Sequence, residues 1–385
     1  MDSLLAQGPL FLFSLIFMLG VVVVIHELGH YLIGRWYGAA AESFSVGFGK
    51  PLIERRDRNG TRWRINRIPF GGFVQFVAKP EDFQHMSNPP QGKAFQDVSL
   101  LGRSLVMLGG PFANFLLAVL IFMGIFLATG EARSTVAITQ VAPGSPAERA
   151  GFEVGDRFLA IDDKPVENVR SVLVPIQLGS GREIPVEVDR AGTPVQLTVI
   201  PERQIRDNGI GQKQPMGTIG VGLQPSALPA VEHNPATALV AAVQETGNTV
   251  ELSLSLLGRI VTGKEPLNQL SGPVGIGDVT RRVVTQTVGA DHLTVTQRLT
   301  SGALFILQLC ALISIGIGLF NLLPLPVLDG GHLVFNAYEA IAGKAVPEKV
   351  QEAFLTVGMV FLIGIAVFVT WGDIVETGVF ATGGS

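Results

Sequence analysis

The sequence predicts a polytopic α-helical membrane protein of about four transmembrane helices, with a cytoplasmic membrane-associated β-hairpin region and an external domain of mixed strand and helix. Three observations lead there. The 385 residues are 47% hydrophobic and only 16% charged, an unusual balance for a chain dissolved in water. The apolar residues gather in four charge-free blocks, Ser3–Ile25, Ser104–Gly130, Leu299–Leu328 and Ala353–Gly372, each long enough for a hydrocarbon core that takes roughly 20 helical residues to cross. Between the first two blocks, Tyr31–Arg103 holds eleven Lys or Arg against six acids, the bias of a loop kept on the cytoplasmic side.

The elements follow in order. Residues 1–34 form the first helix; Met1-Asp2-Ser3 lacks the basic start of a signal peptide, so the block reads as a retained span. Residues 35–103 form the cytoplasmic β-rich, membrane-associated region. There Ile53–Arg58 and Thr61–Asn66 flank Asn59-Gly60, a pair suited to a type I′ hairpin turn because both positions need positive φ. Pro69-Phe70-Gly71-Gly72 should break that pattern before a short apolar run, Phe73–Val77, which is either a strand or a dip into the membrane interface.

Residues 104–130 form the second helix and return the chain outside. Residues 131–206 then carry short strand-like runs, Val136–Val141, Arg157–Ile161, Ile184–Val188 and Gln196–Ile200, as in a compact α+β domain. Residues 207–298 read as an external linker with amphipathic helices, one starting at Asn234-Pro235 and running through Ala236–Val261 at the membrane surface. Residues 299–331 form the third span. Residues 332–385 supply a cytoplasmic turn, the fourth helix and an external C-terminus.

Function classes narrow from the same composition. The net charge is −4 and no long basic run exists, which argues against nucleic acid. Cys310 is the sole cysteine, so neither an intrachain disulfide nor a cysteine-rich metal site is available. Any metal must rest on His and carboxylate.

His26 and His30 are four residues apart, so a helix projects both imidazoles from one face, with Glu27 beside them as candidate base. Ionisable residues running on from an apolar span are costly and usually functional. A catalytic zinc commonly takes three protein ligands and keeps one position for water. Asp329 follows Asn321-Leu322-Leu323-Pro324-Leu325-Pro326-Val327-Leu328, where two prolines interrupt the third span, and it is the expected third ligand. The crossings agree, because span one runs in, span two out and span three in again. His332 could ligate from the same face as Asp329. His85, His233 and His292 read as solvated surface residues.

Three motifs together resemble the bacterial branch of the site-2 protease family: His26-Glu27-Leu28-Gly29-His30, Gly110-Pro111-Phe112-Ala113-Asn114 and Asn321–Gly330. The resemblance implies an intramembrane zinc endopeptidase that cuts single-span membrane proteins, such as an anti-sigma factor or remnant signal peptides, already cleaved once on the external side. It implies a multi-pass protein of the bacterial inner membrane, and a backbone-binding role for Asn321 toward the substrate. Val141–Ala147, with Ala150-Gly151 and Gly155-Asp156, resembles a bacterial PDZ domain, which the topology places on the periplasmic or external side. One such domain fits here, whereas familiar members of that branch carry two in tandem. Two other classes compete: a PDZ-bearing membrane scaffold with a structural metal site, and a transporter, which the lack of an inverted internal repeat disfavours.

Overall fold

The computed structural model describes residues 2–207, 213–263 and 294–377. They fall into two compact units, Met1–Met123 with Leu239–Ser385, and Gly124–Ala238.

The first unit is helical around a small β layer. Its described helices are α1 (Asp2–Trp36), α2 (Leu100–Thr129, entering the second unit at its end), α5 (Pro235–Val261, starting in the second unit), α6 (Val295–Leu322), α7 (Asp329–Ala342) and α8 (Glu348–Thr377). Among the described residues, four stretches are long and apolar enough to cross a membrane: Ile16–Trp36, Leu100–Thr129, Val295–Leu322 and Glu348–Gly372. Along α8 the apolar side chains of Val357, Val360, Ile363, Val367 and Phe368 are exposed, a surface that lipid accepts and water does not. The chain is a membrane protein.

One expectation shifts here. Asp329 opens a 14-residue helix, α7, instead of a turn; Gly343, in left-handed conformation, ends it.

The β layer comprises β1 (Ala41–Arg56) and β2 (Arg62–Phe76), antiparallel partners from Arg56↔Arg62 to Ala41↔Phe76. The hairpin forms, but not through the expected type I′ turn. Only Gly60 of the Asn59-Gly60 pair has positive φ (86°). Asp57 organises a longer loop instead, its carboxylate accepting from the amides of Asn59 at 2.9 Å and Thr61 at 3.0 Å.

Nor does Pro69–Gly72 end the strand. Positive φ at Gly47, Gly49 and Gly71 bends both long strands, so that Ser43–Val46 pairs with Gln75–Gly72 and also with Arg62–Ile65. Gly72–Phe76 is therefore an edge: among the described residues, no strand pairs its other side. Phe44, Tyr31 and Trp63 pack under this layer, with Phe44 stacked on Trp63 at 4.6 Å between ring centroids.

The second unit holds an antiparallel sheet ordered β10-β3-β4-β6-β7, with β5 beside β4. Its strands are β3 (Ser134–Val141), β4 (Arg157–Ile161), β5 (Lys164–Pro165), β6 (Ile184–Arg190), β7 (Thr193–Val199) and β10 (Val221–Ala227). Two helices accompany it, α3 (Pro146–Arg149) and α4 (Val169–Leu178), and β8 (Glu202–Asp207) pairs with β9 (Lys213–Thr218) as a separate hairpin. Val136, Ile138, Phe158, Val172, Val186 and Val188 form its buried centre. The sheet extends past residue 206, because β10 closes on β3 through seven residue pairs from Val221↔Val141 to Ala227↔Ser134. A strand that seals a sheet edge cannot be told from a linker by its own Gly- and Pro-containing sequence.

Two-residue turns with both φ values positive do occur here, at Asp162-Asp163 and Ala191-Gly192. In α5, Asn234 caps the start, its Oδ1 accepting from Ala236 and Thr237 amides. His233 is not a solvated surface residue: its side chain is 9% exposed and its Nε2 lies 3.2 Å from Glu131 Oε2. His292 lies outside the described residues.

Candidate metal centre

The centre starts from helical spacing. His26 and His30, one turn apart on α1, bring their Nε2 atoms to 3.1 Å of each other, with the rings edge to face. Asp329 Oδ2, some three hundred residues on, lies 3.2 Å from His26 Nε2 and 3.4 Å from His30 Nε2. Both histidines are buried, and Asp329 Oδ2 is buried without a hydrogen-bond partner.

Three elements hold this arrangement. Helix α2 runs so close to α1 that a Cβ at Gly109 would sit 2.7 Å from Gly29 O, and a Cβ at Gly29 would strike Gly109 O. Gly110 lies directly beneath the rings, where a Cβ would meet His26 Cε1 and His30 Cε1 at 2.7 Å. Val106 O meets His30 Nδ1 at 2.7 Å. Because a carbonyl only accepts, neutral His30 carries its hydrogen on Nδ1 and presents a bare lone pair at Nε2.

The break after α6 presents Asp329. Val327 adopts φ 75°, a left-handed conformation costly for a β-branched residue and typical of functional sites. Gly330 and Gly331 allow the turn to fold back, since a Cβ on either would strike the carbonyl oxygens of Leu323 and Leu325 respectively. Arg103 pairs with Glu339 at 2.6 Å and Asn336 Nδ2 donates to Ser104 Oγ at 3.2 Å. These bonds anchor α7 to the start of α2.

The donor set fits zinc. For bonds of about 2.0–2.1 Å, a tetrahedron has edges of roughly 3.3 Å, and the three observed separations are 3.1, 3.2 and 3.4 Å. Two imidazole nitrogens converging on a buried, unpartnered carboxylate oxygen leave a place that a cation fills. Among the described residues these are the three His, Cys, Asp or Glu side chains grouped closely enough to share an ion; His332 is not in the group.

Glu27 lies beside the pair on α1. Its Oε2 accepts from the Val74 amide at 2.9 Å, tying it to the edge strand of the β layer. Asn321 lies at the end of α6 with its Nδ2 donating to Ile317 O at 3.0 Å within the same helix; no described hydrogen bond joins it to the His and Asp cluster. Sequence reasoning assigned no role to Val106, Gly110 or Asn114. A main-chain carbonyl has no sequence signal at all, whereas an Asn inside an apolar span does.

Nearby, Asp57 supports the β layer. Burial opposes its ionisation, but bonds from Trp63 Nε1, the Thr61 and Asn59 amides and the Tyr31 hydroxyl outweigh this and hold its carboxyl below the ordinary range.

A helix-borne histidine pair and a distant carboxylate, grouped at zinc spacing in a protein with four membrane-length apolar helices, define a membrane zinc metalloendopeptidase. The chain belongs to peptidase family M50, whose model matches residues 14–365. A protein of Agrobacterium fabrum, provisionally named a zinc metalloprotease, is 36% identical over 369 residues, covering 93% of this chain and 94% of that protein. Metalloprotease MmpA of Caulobacter vibrioides is 34% identical over 390 residues, covering 96% of each. A solved HtrA-type protease with a decapeptide aligns over 38% of this chain and 39% of that one at 17% identity, but its TM-score of 0.17 supports no fold argument.

Proposed function

We propose that this metalloendopeptidase cuts the transmembrane segments of single-span proteins within the bacterial inner membrane, after an earlier cut on the external side. One observation carries the reading: Glu27, next to His26 on α1, accepts a hydrogen bond from the Val74 amide in the edge strand Gly72–Phe76.

 An extended chain can be taken up by such an edge through main-chain hydrogen bonds, and a helical substrate hides its carbonyls until it is unwound. The edge and the base thus serve one event, presentation of an extended peptide bond beside the metal ligands.

In this reading His26, His30 and Asp329 hold the zinc and Glu27 is the catalytic base. A bound zinc supplies Lewis-acid chemistry, polarising a carbonyl and acidifying water near neutral pH. Glu27 takes the proton from the attacking water and delivers it to the leaving amine. Asn321 binds substrate backbone once its side chain leaves Ile317 O. The exposed Phe48, Leu52, Ile53, Ile65 and Ile68 at the far end of the β layer, with Lys50, Arg55 and Arg67, rest at the cytoplasmic membrane interface. The sheet domain of Ser134–Ala227 acts as a PDZ-like filter on the periplasmic side and excludes substrates that have not been trimmed.

The test is Glu27→Gln, which keeps the side chain's size and removes the base. Purified with a single-span substrate in detergent, the variant should retain its zinc and its substrate while cleaving at least about a hundredfold more slowly, as loss of general acid–base catalysis requires. Near-normal cleavage would remove Glu27 from the mechanism.

A further inference from the structure

Asn114 is a polar side chain in the middle of an apolar span, and it is 0% exposed. Its Nδ2 lies 3.2 Å from His26 Nδ1. Its Oδ1, equally buried, has no hydrogen-bond partner. The two ends of an amide are nearly identical in shape, so their assignment follows from the hydrogen bonds they can make.

The metal centre decides which end faces the ring. With His26 Nε2 turned toward His30 Nε2 and Asp329 Oδ2, a zinc ligand must be unprotonated there, and the neutral imidazole then carries its hydrogen on Nδ1. That N–H needs an acceptor. An amide nitrogen cannot accept, whereas the same side chain rotated by 180° presents Oδ1 and pairs the orphaned oxygen.

His30 shows the same arrangement in simpler form, since its Nδ1 meets Val106 O. Both acceptors come from α2, where Val106, Gly110 and Asn114 recur every fourth residue and so share one face. Gly110 makes room for the rings, and the residues one turn to either side receive their Nδ1 hydrogens. Ser314 Oγ of α6 donates to Asn114 O at 2.8 Å, fixing this turn of α2 against the helix that leads to Asp329.

We propose that Asn114 is a positioning residue for His26: its side-chain oxygen accepts the Nδ1 hydrogen and fixes the tautomer that leaves Nε2 free for zinc. The inference rests on His26, His30 and Asp329 as the ligands. Outer partners of this kind orient the ring and raise its basicity, and their loss typically weakens metal binding 10–100-fold.

The experiment measures zinc affinity of the full-length protein in detergent by chelator competition, together with the visible spectrum of the cobalt-substituted form. Asn114→Leu keeps the volume and removes the acceptor; zinc should bind 10–100-fold more weakly and the cobalt bands should shift. Asn114→Asp keeps an acceptor and loses the NH2 donor; affinity should stay near wild type. Undiminished affinity in Asn114→Leu overturns the proposal, as does a loss in Asn114→Asp equal to that in Asn114→Leu, because the donor would then be the end that matters. Should Asn114→Leu not fold, Asn114→Asp decides alone: affinity near wild type supports the acceptor role, and a loss of about tenfold or more overturns it. Asp329→Ala runs in parallel: wild-type zinc binding there would refute the ligand set itself, whereas zinc loss in Asp329→Ala with none in Asn114→Leu refutes only the role of Asn114.

Discussion

Gly110→Ala puts the packing of the metal centre to a quantitative test. The added methyl would lie 2.7 Å from both His26 Cε1 and His30 Cε1, whereas carbon pairs settle at about 3.5–4.0 Å. Each ring must therefore retreat by about 0.8 Å or more, or α2 must move away from α1. Neither is easy. His30 is held by Val106 O, and α2 is already in backbone contact with α1 at Gly109 and Gly29. A well-formed metal site keeps its ligand distances within about 0.2 Å of the usual values, and overpacking typically costs about 1–3 kcal/mol. If that cost falls on the ligand geometry, zinc should bind roughly 5- to 150-fold more weakly, at 1.4 kcal/mol per factor of ten. Helix propensity works the other way, since Ala is favoured over Gly by up to about 1 kcal/mol, so any loss is not a helix effect. Chelator competition on purified protein gives the affinity. Gly124→Ala, in the same helix with nothing within 4 Å of the new Cβ, is the control and should bind zinc normally. Zinc affinity within twofold of wild type in Gly110→Ala would refute the claim that Gly110 is required to seat the rings.

Two further predictions concern the second unit. Asp156 is buried, which alone would raise its pKa, but two bonds from Arg190 at 2.8 Å and the Glu153 amide at 2.9 Å outweigh burial and hold it below the ordinary carboxylate range. A depressed folded-state value means that the contribution is complete above the unfolded value of about 3.9 and is lost as pH falls through the folded one. Arg190→Gln should therefore make this unit less stable at pH 7 and narrow its difference from wild type toward pH 3, read as hydrogen-exchange protection over Ser134–Ala227 in the full-length chain; a difference that does not shrink on acidification would contradict this. Replacing Ser134–Ala227 with a short linker should leave cleavage of a pre-trimmed substrate intact and admit the untrimmed form, and loss of both activities in a zinc-loaded protein would count against a filtering role.

Much of this protein was legible in its sequence, where local covalent spacing suffices. Four charge-free apolar blocks specify four membrane-length helices, because a helix must satisfy its own backbone in lipid. A four-residue interval puts His26 and His30 on one face, two prolines interrupt the third span, and strand-like runs at Val136, Arg157 and Ile184 appear as β3, β4 and β6. Counting crossings even brought Asp329 to the same side as the histidines.

Contacts between distant segments were decided by packing alone. The Asn59-Gly60 pair favours a type I′ turn, yet Asp57 offers its carboxylate to the loop amides and a longer connection forms. Val221–Ala227 looks like linker because nothing in its own residues says that β3 lies open beside it. The edge strand at Glu27, the carbonyl of Val106 under His30 and the amide of Asn114 against His26 all depend on how closely α1, α2 and β2 approach. Spacing along a chain fixes which side chains share a face, but which face meets which is set by glycines whose missing side chains matter only once the helices touch.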